Sequence, residues 1–423
     1  MAQSAQTIAT SSSPYSRFGL GDIDPALLPQ NLGMGGIATA INRISGYNNI
    51  NPLNPASYGL INYTTIDAGI YANISTFSQT GQANATNNNF RLSHVAFAIP
   101  VSKHSALSFG LMPYSEMGYN NIQTQSKGFG TGSSADTNAV NYVFNGNGGI
   151  SKAYLGYGFG IGKHLLIGAN MSYLFGNLQQ LSSTEIPGLF GSLNSRTEQD
   201  NSVSGLNYDY GVQYSFDFGE TKHLVLGYSA SANSKINTTS TYIVSQYTYA
   251  SSGVENLAAD SIVNYQSTKS KIQLPQINHF GISFQNDGHF IIGADYTMGH
   301  WSGLTIDGVN QGFQDSKTFN IGGQFTPDIN SLHNYFARTD YRLGFIYDET
   351  YLNLNNTNIN RYAVTFGFGL PLSPNLTSFY KINFSAEVGQ RGTVQNGLVR
   401  ENYVNLHLAF TLNDKWFQKF KFD

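Results

Sequence analysis

A chain of 423 residues would ordinarily divide into two or three soluble domains, yet only 11% of its residues are charged where about 25% is usual, and 45 Gly, 27 Tyr and 28 Phe accompany that shortage. No run of about 18 apolar residues exists, which excludes a helical membrane protein; low charge with abundant aromatics is the profile of a transmembrane β-barrel. A net charge of −3 without a basic block argues against a nucleic-acid partner, and the lack of Cys excludes disulfides, thiol chemistry and Cys-based metal sites.

Residues 1–30 are polar and then turn-rich, with Ser11-Ser12-Ser13-Pro14-Tyr15 leading to Arg17-Phe18-Gly19-Leu20-Gly21-Asp22. No apolar leader core follows Met1, as expected of a mature chain whose secretory signal has been removed. The stretch from Asn31 to Tyr58 organises what comes after it. Gly33, Gly35 and Gly36 around Met34 allow close turns and close backbone approach, and Asn54-Pro55-Ala56 sets a tight turn. Between them the spacing predicts one or two helical turns over residues 37–44, with Ile37, Ile41 and Ile44 on one face. Such a segment is too short to own a core and reads as a plug that needs a container.

Period-2 segments then run to the C-terminus: 61–74, 90–99, 105–118, 149–160, 164–180, 204–218, 222–236, 271–285, 289–301, 317–327, 338–350, 359–370, 379–390 and 402–413. That is about fourteen strands, an even number. Leu206, Tyr208, Tyr210, Val212, Tyr214, Phe216 and Phe218 share one face and Asn207, Asp209, Gln213 and Asp217 the other, so one face suits lipid and the other a lined interior. Connections after odd strands are long and polar (79–89, 120–147, 181–203, 237–270), those after even strands short. Both termini are therefore expected in the periplasm. A repeat of a polar residue, His and an apolar run opens several outward-going strands at His104, His164, His223 and His289; these His have no ligand partner nearby in sequence, so no metal is expected.

Pro113 interrupts the third strand, where it cannot donate to a ladder, and a closed barrel offers no edge to hide it. Pro275 is a second bulge candidate. Inward-facing charges by alternation are Asp67, Asp209, Asp217, Asp295, Asp340, Arg342, Arg361, Lys381 and Glu387, with His94, His279 and His407 as candidate bases. Pairing of buried charges explains these better than catalysis. Gly227-Tyr228-Ser229-Ala230-Ser231 lacks the second Gly of a nucleophile elbow, and no enzyme activity or cofactor is expected.

The Gly33-Met34-Gly35-Gly36 run, followed about twenty residues later by Asn54-Pro55-Ala56 ahead of a long β-domain, resembles the N-terminal hatch of FadL-type outer-membrane transport proteins. Tyr341-Arg342-Leu343-Gly344-Phe345, 364–372, 387–392 and the ending Asn413-Asp414-Lys415-Trp416-Phe417 look like a divergent branch of that family. The resemblance implies an all-β fold, a 14-stranded barrel with an internal plug: residues 1–60 as periplasmic lead-in and hatch, 61–413 as barrel and 414–423 as periplasmic tail. It implies passive uptake of a fatty-acid-like hydrophobic molecule across a Gram-negative outer membrane, with lateral exit near the third strand. Gly110, Pro113 and Gly118 are then the candidate gate, a plain structural bulge being the other reading of Pro113. Phe77, Tyr114, Met117, Tyr119 and Phe175 are candidate ligand-lining residues. Expected partners are outer-membrane lipids and a hydrophobic ligand or detergent. The alternative is a non-transporting barrel subunit of a protein secretion or assembly complex, docked to a partner protein through its polar loops and its tail. That tail runs on to Asp423, so which of Trp416, Phe417, Phe420 and Phe422 serves as insertion signal stays open.

Overall fold

The computed structural model describes residues 13–43, 48–125, 138–186, 188–189, 191–256, 260–266, 270–372 and 378–415. Its strands form one closed antiparallel barrel of fourteen staves. In order these are β1 (Thr64–Ser78), β2 (Ala85–Ser102), β3 (Ser105–Gln125), β4 (Val140–Ile161), β5 (Leu165–Glu185), β6 (Asn194–Asp217) and β7 (Lys222–Ser231 with Lys235–Tyr247). There follow β8 (Asp260–Gln266, Ser270–Gln273 and Ile277–Asn286), β9 (Phe290–Gly299 with Thr305–Ile306) and β10 (Val309–Asn310 with Ser316–Phe325). The last are β11 (Asp340–Leu354), β12 (Thr357–Pro371), β13 (Ser378–Gly392) and β14 (Arg400–Asp414). β1 closes the wall on β14, from Thr64 opposite Asp414 to Ser78 opposite Arg400.

Side-chain burial is the reverse of a soluble protein. Along β6, Leu206, Tyr208, Tyr210, Tyr214 and Phe216 are exposed, while Asn207, Asp209, Gln213 and Ser215 between them are buried. Exposed Leu, Phe, Tyr and Ile recur on the outer face of the other staves, a surface that hydrocarbon covers at no cost and water would not.

Every segment read from alternation corresponds to a stave, but several staves extend further. The segments 79–89, 120–147, 181–203 and 237–270, read as loops, are in large part strand: β3 runs to Gln125, β4 begins at Val140, β6 at Asn194, and β7 continues to Tyr247. Beyond the apolar belt both faces are polar, so the backbone ladder continues while the hydrophobic alternation that reports it fades. Pro275 falls in a break in β8, where β7 is also interrupted and the neighbouring backbone bond from Leu274 N–H to the Ser234 carbonyl (2.9 Å) bridges the corner.

Residues 13–43 and 48–63 are not among the fourteen staves. They pass through the lumen with little regular structure: 3₁₀ turns at Pro14–Arg17 and Pro55–Leu60, the two-residue strand Asp22–Ile23, and one α-helical turn at Pro29–Leu32. The helical turn expected over 37–44 is not there; residues 37–43 are irregular and Ile44 lies outside the described residues. Wall side chains take up the backbone groups that a helix would have bonded internally.

The inward charges pair as expected. Asp340 is fully buried and accepts from Arg342 Nη2 at 2.9 Å and Lys381 Nζ at 2.6 Å, while Lys152 Nζ reaches Asp209 at 2.6 Å. Removing one partner of such a site strands the other charge. Lys152→Met, which leaves Asp209 without its cation, is therefore expected to lower stability by about 3 kcal/mol, read from urea unfolding in detergent micelles. A loss below about 1 kcal/mol would mean that water reaches the Asp209 carboxylate.

Candidate functional site

The lumen is built around one requirement: a buried, irregular backbone needs hydrogen-bond partners. Asp295 Oδ2 on β9 accepts from the N–H groups of Ala38 and Thr39, each at 2.8 Å. Gln213 Nε2 donates to the Thr39 carbonyl (2.9 Å), and Ser283 Oγ and Gln285 Nε2 to that of Ala40 (2.8 and 2.9 Å). Further round the wall Thr365 Oγ1 on β12 donates to the Gly33 carbonyl (3.1 Å) and accepts from Gly35 N–H (2.8 Å), and Asn320 on β10, beside Asp295, donates to the Gly35 carbonyl. Asn54 caps the turn that follows it, its Oδ1 accepting from Ala56 N–H at 3.2 Å, while its Nδ2 donates to the Thr39 carbonyl at 2.6 Å.

Close approach requires wall positions without side chains. A methyl group on Gly322 would overlap the Met34 carbonyl; on Gly344, Gly35 N; on Gly227, the Thr39 carbonyl; on Gly168 or Gly158, the Pro55 carbonyl. Gly35 and Gly36 themselves adopt φ of 71° and 79°, which only glycine takes without strain. Gly168 and Gly227 close the His-containing repeats noted in the sequence. Those repeats mark where the internal segment touches the wall as well as where strands begin.

The wall itself opens at one place. The β2–β3 ladder runs from Ser102 opposite Ser105 only as far as Val95 opposite Leu111. Beyond it residues 85–94 pair with β1 alone, and residues 112–125 with β4 on their other side. Pro113 sits at the start of this seam, with a bulge at Tyr114 in the β3–β4 register and another at Ser93 in the β1–β2 register. The N-terminal segment takes over the vacated edge of β3: Asp22 and Ile23 pair with Glu116 and Ser115, Asp24 N–H donates to the Tyr114 carbonyl (3.0 Å), and Ser16 Oγ bonds both the N–H and the carbonyl of Gly118. Gly110 lies just inside the paired region, where a methyl group would press on the Val95 carbonyl.

Two neighbouring cavities lie behind the seam and share a wall formed by residues 22–25, Leu27 and Leu32. One, about 180 Å³, is lined from both lips of the seam by Arg91, Ser93, His94, Met112, Pro113 and Glu116, and further in by Glu387, Arg391 and Glu401. The other, about 290 Å³, is more apolar, with Leu53, Tyr114, Ile277, Trp301, Ile346 and Leu352. At the long-loop end an apolar cluster containing Leu20, Met117, Tyr119, Trp301 and Leu304 caps them, with Trp301 stacked on Tyr351 at 4.2 Å between ring centroids. Tyr15, wedged with Leu352, Ile359 and Leu398, donates to the Val399 carbonyl, and burial pushes its phenol up to about 12, so it stays a donor. At the short-turn end Arg43 of the internal segment meets Asp287 (3.3 Å), beside His223, which bonds Asp217 at 2.6 Å.

Of the five candidate lining residues Tyr114 alone lines either of these two cavities. Met117 and Tyr119 are packed within the cap, and half-buried Phe77 lines neither chamber. Phe175 points outward, stacked on exposed Tyr173; a one-residue shift along a strand exchanges lumen for lipid, and the sequence reading placed it on the wrong side. The charged residues Asp22, Asp24, Arg91, Glu116, Arg391 and Glu401 were missed because ion pairing across staves leaves no mark on spacing. His94 lies between Asp67 (2.6 Å) and Ser93 Oγ (3.1 Å), and His279 bonds Thr297 (2.8 Å); no group of three or more His, Asp or Glu among the described residues could hold a metal ion.

A family model described as BamG matches residues 1–423. The chain belongs to the BamG family. No curated protein matches it. Among solved structures this BamG-family chain is similar to the Ralstonia pickettii toluene transporter TbuX, at 15% identity and a TM-score of 0.58 over 92% of this chain and 99% of that one. It is similar also to the P. putida toluene transporter TodX (12%, 0.57, covering 94% and 100%) and to a Pseudomonas aeruginosa FadL homologue (11%, 0.58, covering 94% and 100%). At such identities the likeness is one of fold: the BamG-family barrel is a FadL-type barrel.

A side chain at the glycine contacts should unseat the internal segment. Gly344→Val and Gly227→Val are each expected to raise protease cleavage within residues 25–60 at least about tenfold, consistent with a loss of a few kcal/mol from overpacking, while heat-modifiable gel migration still reports a closed barrel. Unchanged protection would mean that the contacts do not seat the segment.

Proposed function

We propose that this BamG-family chain is an outer-membrane channel for passive uptake of hydrophobic small molecules. Ligand is captured among the long loops, passes beside the internal segment and leaves sideways through the seam between β2 and β3. The short-turn end faces the periplasm, which puts both termini there. Residues 1–60 act as lead-in and hatch, 61–413 as barrel, and 414–423, mostly outside the described residues, as a periplasmic tail. The observation that carries this reading is the ladder's stop at Leu111 with a cavity directly behind both lips. The fold shared with proteins described as toluene transporters supports it. No covalent step is involved; the ligand's partition gradient supplies direction.

A second reading, a non-transporting barrel subunit of a secretion or assembly complex, is favoured by two other observations. Ion pairs such as Arg391–Asp22 and Arg91–Asp24 tie the internal segment to the wall where a ligand would pass. Residues 85–94 also present an unpaired strand edge with Phe90 and Leu92 exposed outward, a form that partner strands extend.

Pro113→Val restores a backbone donor where the ladder stops and is expected to slow uptake of a hydrophobic probe about threefold or more if the seam is the exit, at equal levels of heat-modifiable barrel. Unchanged uptake removes the gate. Native mass spectrometry of gently extracted protein separates the two readings: a monomer carrying a small hydrophobic ligand supports the channel, a stoichiometric protein partner without one the subunit.

A further inference from the structure

The geometry points to an amphiphile with a positively charged head group, such as a primary ammonium, as the ligand of the cavities behind the seam, and against one with a carboxylate head. This rests on the channel reading above. Three guanidinium groups face these cavities, and each is shared between two carboxylates: Arg91 with Asp24 (2.8 Å) and Glu116 (2.9 Å), Arg361 with Asp348 (3.2 Å) and Glu387 (3.5 Å), Arg391 with Asp22 and Glu401 (both 2.9 Å). With Lys152, Asp209 and Asp295 of the larger cavity included, four cations face eight carboxylates, a formal excess of four negative charges around the two cavities.

The donors of Arg391 are committed, Arg91 Nε lies 2.9 Å from Glu116 without a hydrogen bond, and two carboxylates keep spare acceptors. Arg391 directs Nε to Glu401 and both terminal nitrogens to Asp22, so an incoming carboxylate would have to break bonds already made. Asp24 Oδ2 is buried without a hydrogen-bond partner. Glu387, 6% exposed, receives Tyr403 Oη (2.6 Å) and Arg361 Nη1 (3.5 Å) both on Oε1; its Oε2 has no hydrogen bond among the described residues. Both carboxylates line both cavities. In a medium less polarisable than water an unshared carboxylate repels an anionic head and pairs with a cationic one. The larger chamber, with Leu53, Ile277, Trp301, Ile346 and Leu352, suits the chain that such a head carries.

Trp301 lines that chamber, and the chain has only one other tryptophan, Trp416. Full-length protein carrying Trp416→Phe, in a neutral detergent at neutral pH, can be titrated with dodecylammonium, dodecanol and dodecanoate while Trp301 fluorescence is followed. The expected result is dodecylammonium binding at least about tenfold more tightly than dodecanoate, with Glu387→Gln and Asp24→Asn each narrowing that ratio. One carboxylate is in the wall and the other in the internal segment, so failure of one variant to fold leaves the other as a test. Dodecanoate binding as tightly as dodecylammonium while dodecanol also binds overturns the charge preference and leaves the channel standing. Binding of none of the three overturns both.

Discussion

An irregular backbone can be buried only if something outside it supplies its hydrogen bonds, and most of this molecule follows from how that is done. Residues 13–43 and 48–63 have too little secondary structure to satisfy themselves, so Asp295, Gln213, Ser283, Gln285, Thr365 and Asn320 do it from several staves at once. The same need explains the glycines. Where the segment's own carbonyls must lie against the wall, as at Gly322 and Gly227, any side chain would hold them off. A composition that looked merely barrel-like is thus partly the imprint of the segment inside the barrel.

The seam is the other side of this bargain. β3 leaves β2 after Leu111, and its free edge is paired from within by Ser16 and residues 22–24 rather than left open. An unpaired edge is costly in hydrocarbon, so the internal segment is a structural part of the wall there and not only a filling. Movement of residues 16–24 would change the lumen and the wall together, which couples any passage through the seam to the state of the N-terminal segment. The Arg91 pairs with Asp24 and Glu116 set how firmly that coupling is held.

Charge inside the barrel is arranged in two ways. The Asp340, Arg342 and Lys381 group packs one carboxylate against two cations, a compensated structural site. Behind the seam the ratio is inverted, with each guanidinium serving two carboxylates. Buried pairs contribute little net stability after desolvation, which is consistent with the proposal that the inverted set selects a ligand by its charge.

The barrel and its stave count were legible in the sequence, because alternation between lipid and lumen recurs on every stave; the glycine-rich run before them reads as a plug because it has no core of its own. Pro113 was legible as an anomaly for an equally local reason, its missing N–H. Strand ends above the apolar belt were not, since two polar faces erase the alternation there, and neither was the side on which Phe175 falls. Only the tertiary structure decided that the edge of β3 pairs with residues 22–24, that Arg91, Arg361 and Arg391 are each shared by two carboxylates, and that residues 37–43 take no helix. Those outcomes depend on contacts between residues far apart in the chain, up to 369 positions for Arg391 and Asp22, and local propensity carries no information about partners at that distance.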